Sequence, residues 1–98
     1  MNVEVVAKDV VINDEVHGRV EQKLEKILDR VNKDTPVRLS VENSRGRFVA
    51  QVSMHIFGRE IVAQGEQKSM LAAIDEAIDR ADRQFKKRHE KLTERRTK

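Results

Sequence analysis

The side chains that could do chemistry in this sequence are mostly cationic, and they recur at helical spacing. In a predicted first helix, four basic residues separated by four, three and four positions share one edge. They are Arg19, Lys23, Lys26 and Arg30. Glu21, Glu25 and Asp29 share the opposite edge at intervals of four. Because each like-charged i,i+4 pair costs about 0.2–0.5 kcal/mol, segregated charge indicates a charged partner rather than selection for helix stability alone.

A second group of basic residues lies near the C-terminus. From Arg80 to Lys98 there are nine Lys or Arg against three Asp or Glu, whereas the whole chain carries a net charge of only +3. Helical spacing predicts an outward stripe with two flanking residues, opposite an apolar stripe. The stripe is Arg80, Arg83, Lys87 and Lys91, and the flanking residues are Lys86 and Arg88. We also expect Glu76 to pair with Arg80 and Asp79 with Arg83.

Two basic helices on one face of a sheet could place both stripes around a shared groove, which favours binding to a phosphate backbone. The sequence has only three aromatic residues, Phe48, Phe57 and Phe85. The pattern assigns Phe48 and Phe85 to the core, so a platform for stacking single-stranded bases is poorly supported. Recognition of the shape and phosphates of folded RNA agrees better with this composition.

The elements that must position these residues follow from hydrophobic periodicity. Alternating apolar residues predict four strands, at 2–10, 37–43, 47–57 and 60–65. A helix capped by Asn13 is predicted to end near Val31 or Asn32, and a longer one begins after Ser69. The order βαβββα predicts an α+β fold: a two-layer sandwich whose four-stranded mixed sheet carries both helices on one face. We expect a single domain over residues 1–98, in which 93–98 form a frayed basic tail.

Other kinds of site are not supported. There is no Cys, and His17, His55 and His89 are scattered without ligand spacing, so we predict no metal site. No glycine-rich phosphate loop or nucleophile motif occurs, and Gly65 is interpreted as a strand-end residue. The sequence therefore predicts a protein that is not an enzyme, with no cofactor and no small-molecule substrate. It has no long apolar run, which predicts a cytoplasmic protein without a membrane partner.

The chain resembles the family of hibernation-promoting factor and ribosome-associated inhibitor A (protein Y), also called the sigma-54 modulation proteins. The stretch SMLAAIDEAIDRADRQFKKRHEKL is similar to the second helix of that family, and VVINDEVHGRVEQKLEKIL resembles its first strand exit and first helix. Three positions depart from the family pattern. Leu71 stands where the family has Tyr, Asn13 replaces a capping Thr, and Gly18 is unusual in the first helix.

The resemblance implies a protein that binds the small ribosomal subunit in the channel for messenger and transfer RNA, where it blocks translation. Both basic helices would face ribosomal RNA. The contacts carried over from the family are Arg19, Lys23, Lys26, Arg80, Arg83, Gln84, Lys87 and Lys91. The sequence shows neither an acidic tail nor a second domain, which implies the short type of factor; this type works with ribosome modulation factor to form ribosome dimers. A truncated long factor would have the same sequence features.

One alternative stays open at this point. A protein-interaction or regulatory module could use the acidic edge of the first helix, or the polar face of the sheet, as a docking surface without RNA. Binding that survives removal of RNA would favour this alternative.

Overall fold

The fold positions two helices on one face of a four-stranded sheet, as the sequence predicts. The computed structural model describes residues 3–30, 34–56 and 58–96, with side chains as far as Lys87. The elements in chain order are β1 (Val3–Lys8), α1 (Asp14–Leu28), β2 (Val37–Ser44), β3 (Arg47–Ile56), β4 (Arg59–Gln67) and α2 (Met70–Arg96).

The sheet is mixed and its strands lie in chain order, β1-β2-β3-β4. β1 runs parallel to β2 with Val5 opposite Leu39, and the other two pairs are antiparallel hairpins. The parallel pair requires a crossover, which α1 supplies. Gly46 and Gly58 turn the two hairpins with positive φ angles of 81° and 73°, a conformation that glycine adopts without steric cost.

The core lies between the sheet and the helices. Alternate residues of β2, β3 and β4 are buried on the helix-covered face, where Leu39, Val52 and Ile61 have no exposed surface. Leu24 of α1 and Phe85 of α2 are buried against them. Phe48 packs against this core at its margin, and Phe57 lies outside the described residues. The buried stripe on each helix fixes which of its edges faces the other helix.

The N-terminal end of α1 is where the sequence predicts it, but the C-terminal end is not. The side-chain oxygen of Asn13 accepts a hydrogen bond from the Val16 amide at 2.9 Å, which confirms the predicted N-cap. The helix stops at Leu28, with Asp29 as its C-cap, so the prediction that it continues to about Val31 is wrong. The last buried pair, Ile27 and Leu28, already completes the apolar stripe, and residues 31–33 lie outside the described residues.

Gly65 is not a strand-end residue, contrary to the prediction. β4 continues to Gln67, and a Cβ added at Gly65 would lie 2.4 Å from the carbonyl oxygen of Ala73. It would also lie 2.8 Å from the backbone nitrogen of Ala77. The missing side chain therefore lets the first turns of α2 pack directly on β4.

α2 begins after Ser69, whose hydroxyl oxygen accepts a hydrogen bond from the Ala72 amide at 3.4 Å, and is described as far as Arg96. Residues 97 and 98 lie outside the described residues, and fraying of the 93–98 tail stays a prediction. Neither helix, within the described residues, is long and apolar enough to cross a membrane.

Candidate nucleic-acid interface

The basic edge of α1 faces a row of aspartates on α2. Arg19 Nη2 lies 3.2 Å from Asp75 Oδ2, and Lys23 Nζ lies 3.3 Å from Asp75 Oδ1. Lys23 Nζ also lies 3.2 Å from Asp79 Oδ1, to which it donates a hydrogen bond. We call this set of interhelical ion pairs, which continues to Asp82, the charged seam.

The C-terminal part of the charged seam is built around Asp82. Arg30, two residues beyond the end of α1, has its Nη1 3.6 Å from Asp82 Oδ1, and Lys86 Nζ of α2 lies 3.2 Å from Asp82 Oδ2. One carboxylate thus pairs with a cation of α2 and with a cation of the segment that follows α1. Asp82 is half-buried, which strengthens its attraction to both cations relative to a fully solvated pair.

The charged seam corrects the prediction of two basic stripes around a shared groove. Arg19, Lys23 and Arg30 lie against carboxylates of α2 instead of lining an open cationic groove. Asp79 pairs with Lys23, and the described side chains of Asp79 and Arg83 form no ion pair with each other, so the predicted i,i+4 pair is wrong. The cause is the way the two helices pack: α1 presents to α2 the edge that carries its cations, and α2 presents Asp75, Asp79 and Asp82.

A second set of contacts ties α2 to the outer edge of β4. Arg80 Nη1 donates a hydrogen bond to the Gln64 carbonyl oxygen at 2.7 Å, and Gln84 Nε2 donates to the Val62 carbonyl oxygen at 3.0 Å. One helical turn earlier, Glu76 Oε1 accepts from the Glu66 amide at 3.0 Å. We call these three hydrogen bonds the edge cap, because β4 is an edge strand of the sheet.

The spacing of the edge cap follows from the geometry of the two elements. Four helical residues rise about 6 Å, and two strand residues span about 6.7 Å. Residues four apart on α2 therefore reach backbone groups two apart on an antiparallel strand. Three backbone groups of the edge strand are thus bonded to side chains of α2, which hinders pairing with another strand on that side.

Glu76 is the most connected residue of the edge cap. Besides the Glu66 amide it accepts a hydrogen bond from Gln67 Nε2 at 2.7 Å and pairs with Arg80 at 3.8 Å, as predicted. The pKa of the Glu76 carboxyl is held below its ordinary value, chiefly by the Glu66 amide and then by Gln67, with a smaller contribution from Arg80. A charged Glu76 is thus part of the folded structure.

These contacts divide the predicted binding residues into two classes. Six have partners inside the molecule: Arg19, Lys23, Arg30, Arg80, Gln84 and Lys86. Three exposed residues, Lys26, Arg83 and Lys87, form no ion pair within the part of the chain that the structure describes. The side chains of the remaining two, Arg88 and Lys91, lie outside the described residues.

The three unpartnered cations share the outward side of the helical layer. Arg83 and Lys87 are one turn apart on the face of α2 that points away from the buried Ala81 and Phe85. Lys26 is two residues from each of the buried residues Leu24 and Leu28, which places it about 160° around α1 from both and therefore on its outward side. Exposed cations without carboxylate partners can bind phosphate without first breaking an internal ion pair.

Sequence reasoning missed the role of three aspartates, Asp75, Asp79 and Asp82. Their intervals of four and three place them on one side of α2, and Arg19 and Lys23, which pair with the first two, are also four residues apart. The matching intervals were the available signal. They could have been used only with the further knowledge of which helix edges face each other.

Comparisons with known proteins identify a family. The family model described as "Sigma 54 modulation protein / S30EA ribosomal protein" matches residues 3–93. A ribosome hibernation promoting factor of Azotobacter vinelandii is 30% identical over 95 residues, which cover 97% of this chain and 89% of that protein. The protein of the same name from Escherichia coli K12 is 40% identical over 70 residues, covering 71% of this chain and 70% of the relative.

Solved structures show the same architecture. The N-terminal domain of Thermus thermophilus Protein Y superposes with a TM-score of 0.76 at 26% identity, covering 89% of this chain and 98% of that domain. A ribosomal subunit interface protein from Coxiella burnetii superposes with a TM-score of 0.75 over 91% of this chain and 98% of that one. At 17% identity the second likeness concerns the fold alone.

Proposed function

Because this chain belongs to the family of sigma-54 modulation proteins and S30EA ribosomal proteins, we propose that it is a ribosome hibernation factor. It binds the small ribosomal subunit in the channel for messenger and transfer RNA and blocks translation there. It stabilises inactive ribosomes, including ribosome dimers, and works with ribosome modulation factor in forming them. Ribosomal RNA is the surface it contacts, and the cytoplasm is where it acts.

The observation that carries this proposal is the set of unpartnered cations on the outward face of the helical layer. Lys26, Arg83 and Lys87 are exposed and have no carboxylate partner within the described residues. Three exposed positive charges carried by two helices suit the phosphates of a folded RNA, whose backbone carries a negative charge at each nucleotide. The proposed contact is therefore electrostatic and depends on shape rather than on base sequence.

The cations of the charged seam contribute less to RNA binding than the unpartnered cations do. Arg19, Lys23, Arg30 and Lys86 are close to the outward face and are partly neutralised by aspartates. Arg80 and Gln84 are committed to the edge cap, so we assign them first to holding α2 and only second to RNA. We expect substitutions of Arg83 and Lys87 to weaken binding to the small subunit more than substitutions of the other cations.

The test is co-sedimentation with purified small subunits between about 50 and 200 mM salt, where phosphate contacts weaken steeply. Reversing both charges in Arg83→Glu/Lys87→Glu should abolish binding at moderate salt and flatten its salt dependence. The matched control is Arg45→Glu/Arg59→Glu, which makes the same change in net charge at the two hairpin turns. The control should bind within about threefold of the parent, because its positions are not on the helical layer.

Two results would contradict the proposal. One is equal binding of the Arg83→Glu/Lys87→Glu variant and the parent. The other is a parent protein that captures a non-ribosomal partner from lysate in which RNA has been digested, and that does not sediment with small subunits. The second result would favour a protein-interaction module instead.

A further inference from the structure

Lys23 lies between the carboxylates of Asp75 and Asp79, which differ in exposure and in hydrogen bonding. Its ammonium nitrogen is 3.2 Å from Asp79 Oδ1 and 3.3 Å from Asp75 Oδ1. Only the contact with Asp79 is a hydrogen bond within the described residues, and Asp75 Oδ1 is buried without a hydrogen-bond partner there. The side chain of Asp75 is 24% exposed and that of Asp79 is 57% exposed.

Asp75 is held from two sides. Its Oδ2 accepts a hydrogen bond from Arg19 Nη2 at 3.2 Å, while Lys23 lies beside its other oxygen. Removing Asp75 would leave two cations of α1 without their shared partner. This carboxylate is therefore fixed in the seam and orients both Arg19 and Lys23.

Among the residues that the structure describes, Lys23 is the one cation paired with Asp79. Arg83, one turn further along α2, makes no ion pair with it within the described residues. An exposed carboxylate with a single cationic partner contributes little to stability and exchanges readily with other anions. Asp79 also lies within one or two turns of Arg83 and Lys87, so it places a negative charge among the cations assigned to RNA.

This inference rests on the proposed function: we infer that Asp79 is an internal substitute for an RNA phosphate. In the free protein it holds the ammonium group of Lys23, and in the complex a phosphate of ribosomal RNA takes its place. Asp75 keeps Lys23 and Arg19 in position throughout. Asp79 is thus a positioning residue in the free state and an opposing charge in the bound state.

The exchange of Asp79 for a phosphate lowers the affinity of the protein for RNA. It also raises the selectivity for one folded RNA over other polyanions. A phosphate that reaches Lys23 must displace a carboxylate and then remain near its negative charge, so a single phosphate gains little. A folded RNA that also offers phosphates to Arg83 and Lys87 gains enough to make the exchange favourable. The device therefore disfavours polyanions that lack the matching arrangement of phosphates.

The experiment compares Asp79→Asn with Glu25→Gln in co-sedimentation with small subunits across the same salt range. Both variants lose one negative charge, but Glu25 is exposed on the opposite edge of α1 and forms no ion pair within the described residues. Asp79→Asn should tighten binding to small subunits about threefold to tenfold at low salt. It should also steepen the slope of log affinity against log salt concentration, by up to about one additional counterion released on binding. Glu25→Gln should change binding less than about twofold, and Asp79→Glu should behave like the parent.

A second readout does not depend on comparing affinities. In the parent protein, the carboxyl carbon resonance of Asp79 should shift when small subunits or a matching RNA fragment is added, since Lys23 leaves it. Equal binding by Asp79→Asn and Glu25→Gln, or weaker binding by Asp79→Asn, would overturn the exchange while leaving the proposed function intact. A parent that does not sediment with small subunits would overturn both.

Discussion

Gly65 on β4 and Ala73 on α2 are packed backbone against backbone, so that a Cβ added at Gly65 would lie 2.4 Å from the Ala73 carbonyl oxygen. Backbone atoms of a helix cannot rotate away as a flexible side chain can. The position of the whole of α2 over the sheet therefore depends on the absence of one methyl group.

The first prediction concerns this contact. Gly65→Ala should lower the free energy of unfolding by about 2–3 kcal/mol, because α2 must move away from β4 or the strand must bend. Chemical denaturation followed by circular dichroism measures the loss. A variant as stable as the parent would mean that the two elements are not packed this closely.

Gly18 offers the matched contrast. Beyond its chain neighbours and the adjacent backbone of its own helix, a Cβ added there meets no atom within 4 Å, and the residue lies inside α1. Gly18→Ala should raise the free energy of unfolding by about 1 kcal/mol, since alanine restricts the unfolded chain and favours the helix. The same denaturation measurement applies, and a loss of stability would indicate that α1 requires a glycine for a reason that its surroundings do not reveal.

A third prediction concerns acid. The Glu76 carboxyl has a pKa below its ordinary value of 4.5, so its contribution to stability is present above that value and is lost as the pH falls through the lowered pKa of the folded state. The parent should lose stability in this interval more steeply than Glu76→Gln. Denaturation midpoints measured from about pH 7 to about pH 3 test this, and parallel profiles for the two proteins would contradict it.

A fourth prediction separates the two classes of cation. Arg80→Ala removes the hydrogen bond to the Gln64 carbonyl oxygen and should cost about 0.5–1.5 kcal/mol of stability. Arg83→Ala should cost under about 0.5 kcal/mol, because its side chain is exposed and has no ion pair within the described residues. We expect the reverse order in co-sedimentation with small subunits, where Arg83→Ala should weaken binding more. The same order in both assays would refute the division.

A fifth prediction concerns the charged seam. Asp75→Asn should weaken the docking of α1 by about 1–2 kcal/mol, because Arg19 and Lys23 lose their shared partner. Hydrogen exchange of α1 amides should accelerate more than exchange in β3. Uniform acceleration across both elements would show that the seam does not specifically hold α1.

Much of the fold is predictable because its determinants are local. The Asn13 cap, the alternation in β2 and β3 and the apolar stripe ending at Phe85 each follow from spacing within one element. The family resemblance and the fold prediction are both confirmed. The apolar pattern predicts too late an end for α1, because Val31 continues the apolar period beyond the point where the helix stops.

The candidate site was less predictable because it depends on contacts between elements. Helical geometry shows that Lys23 and Asp79 each lie on a particular edge, but only the packing of the two helices brings those edges together. The edge cap has the same character: Arg80 reads as an outward cation until β4 supplies a carbonyl oxygen. Gly65 likewise reads as a strand end until α2 occupies the space beside it.

The edge cap has a consequence for how the protein behaves when it is abundant. An exposed edge strand is a template on which further strands can assemble into aggregates or amyloid. On β4, growth would first require Glu76, Arg80 and Gln84 to release their backbone partners together. By holding these three backbone groups with its own helix, the chain opposes the growth of cross-β fibrils from that side.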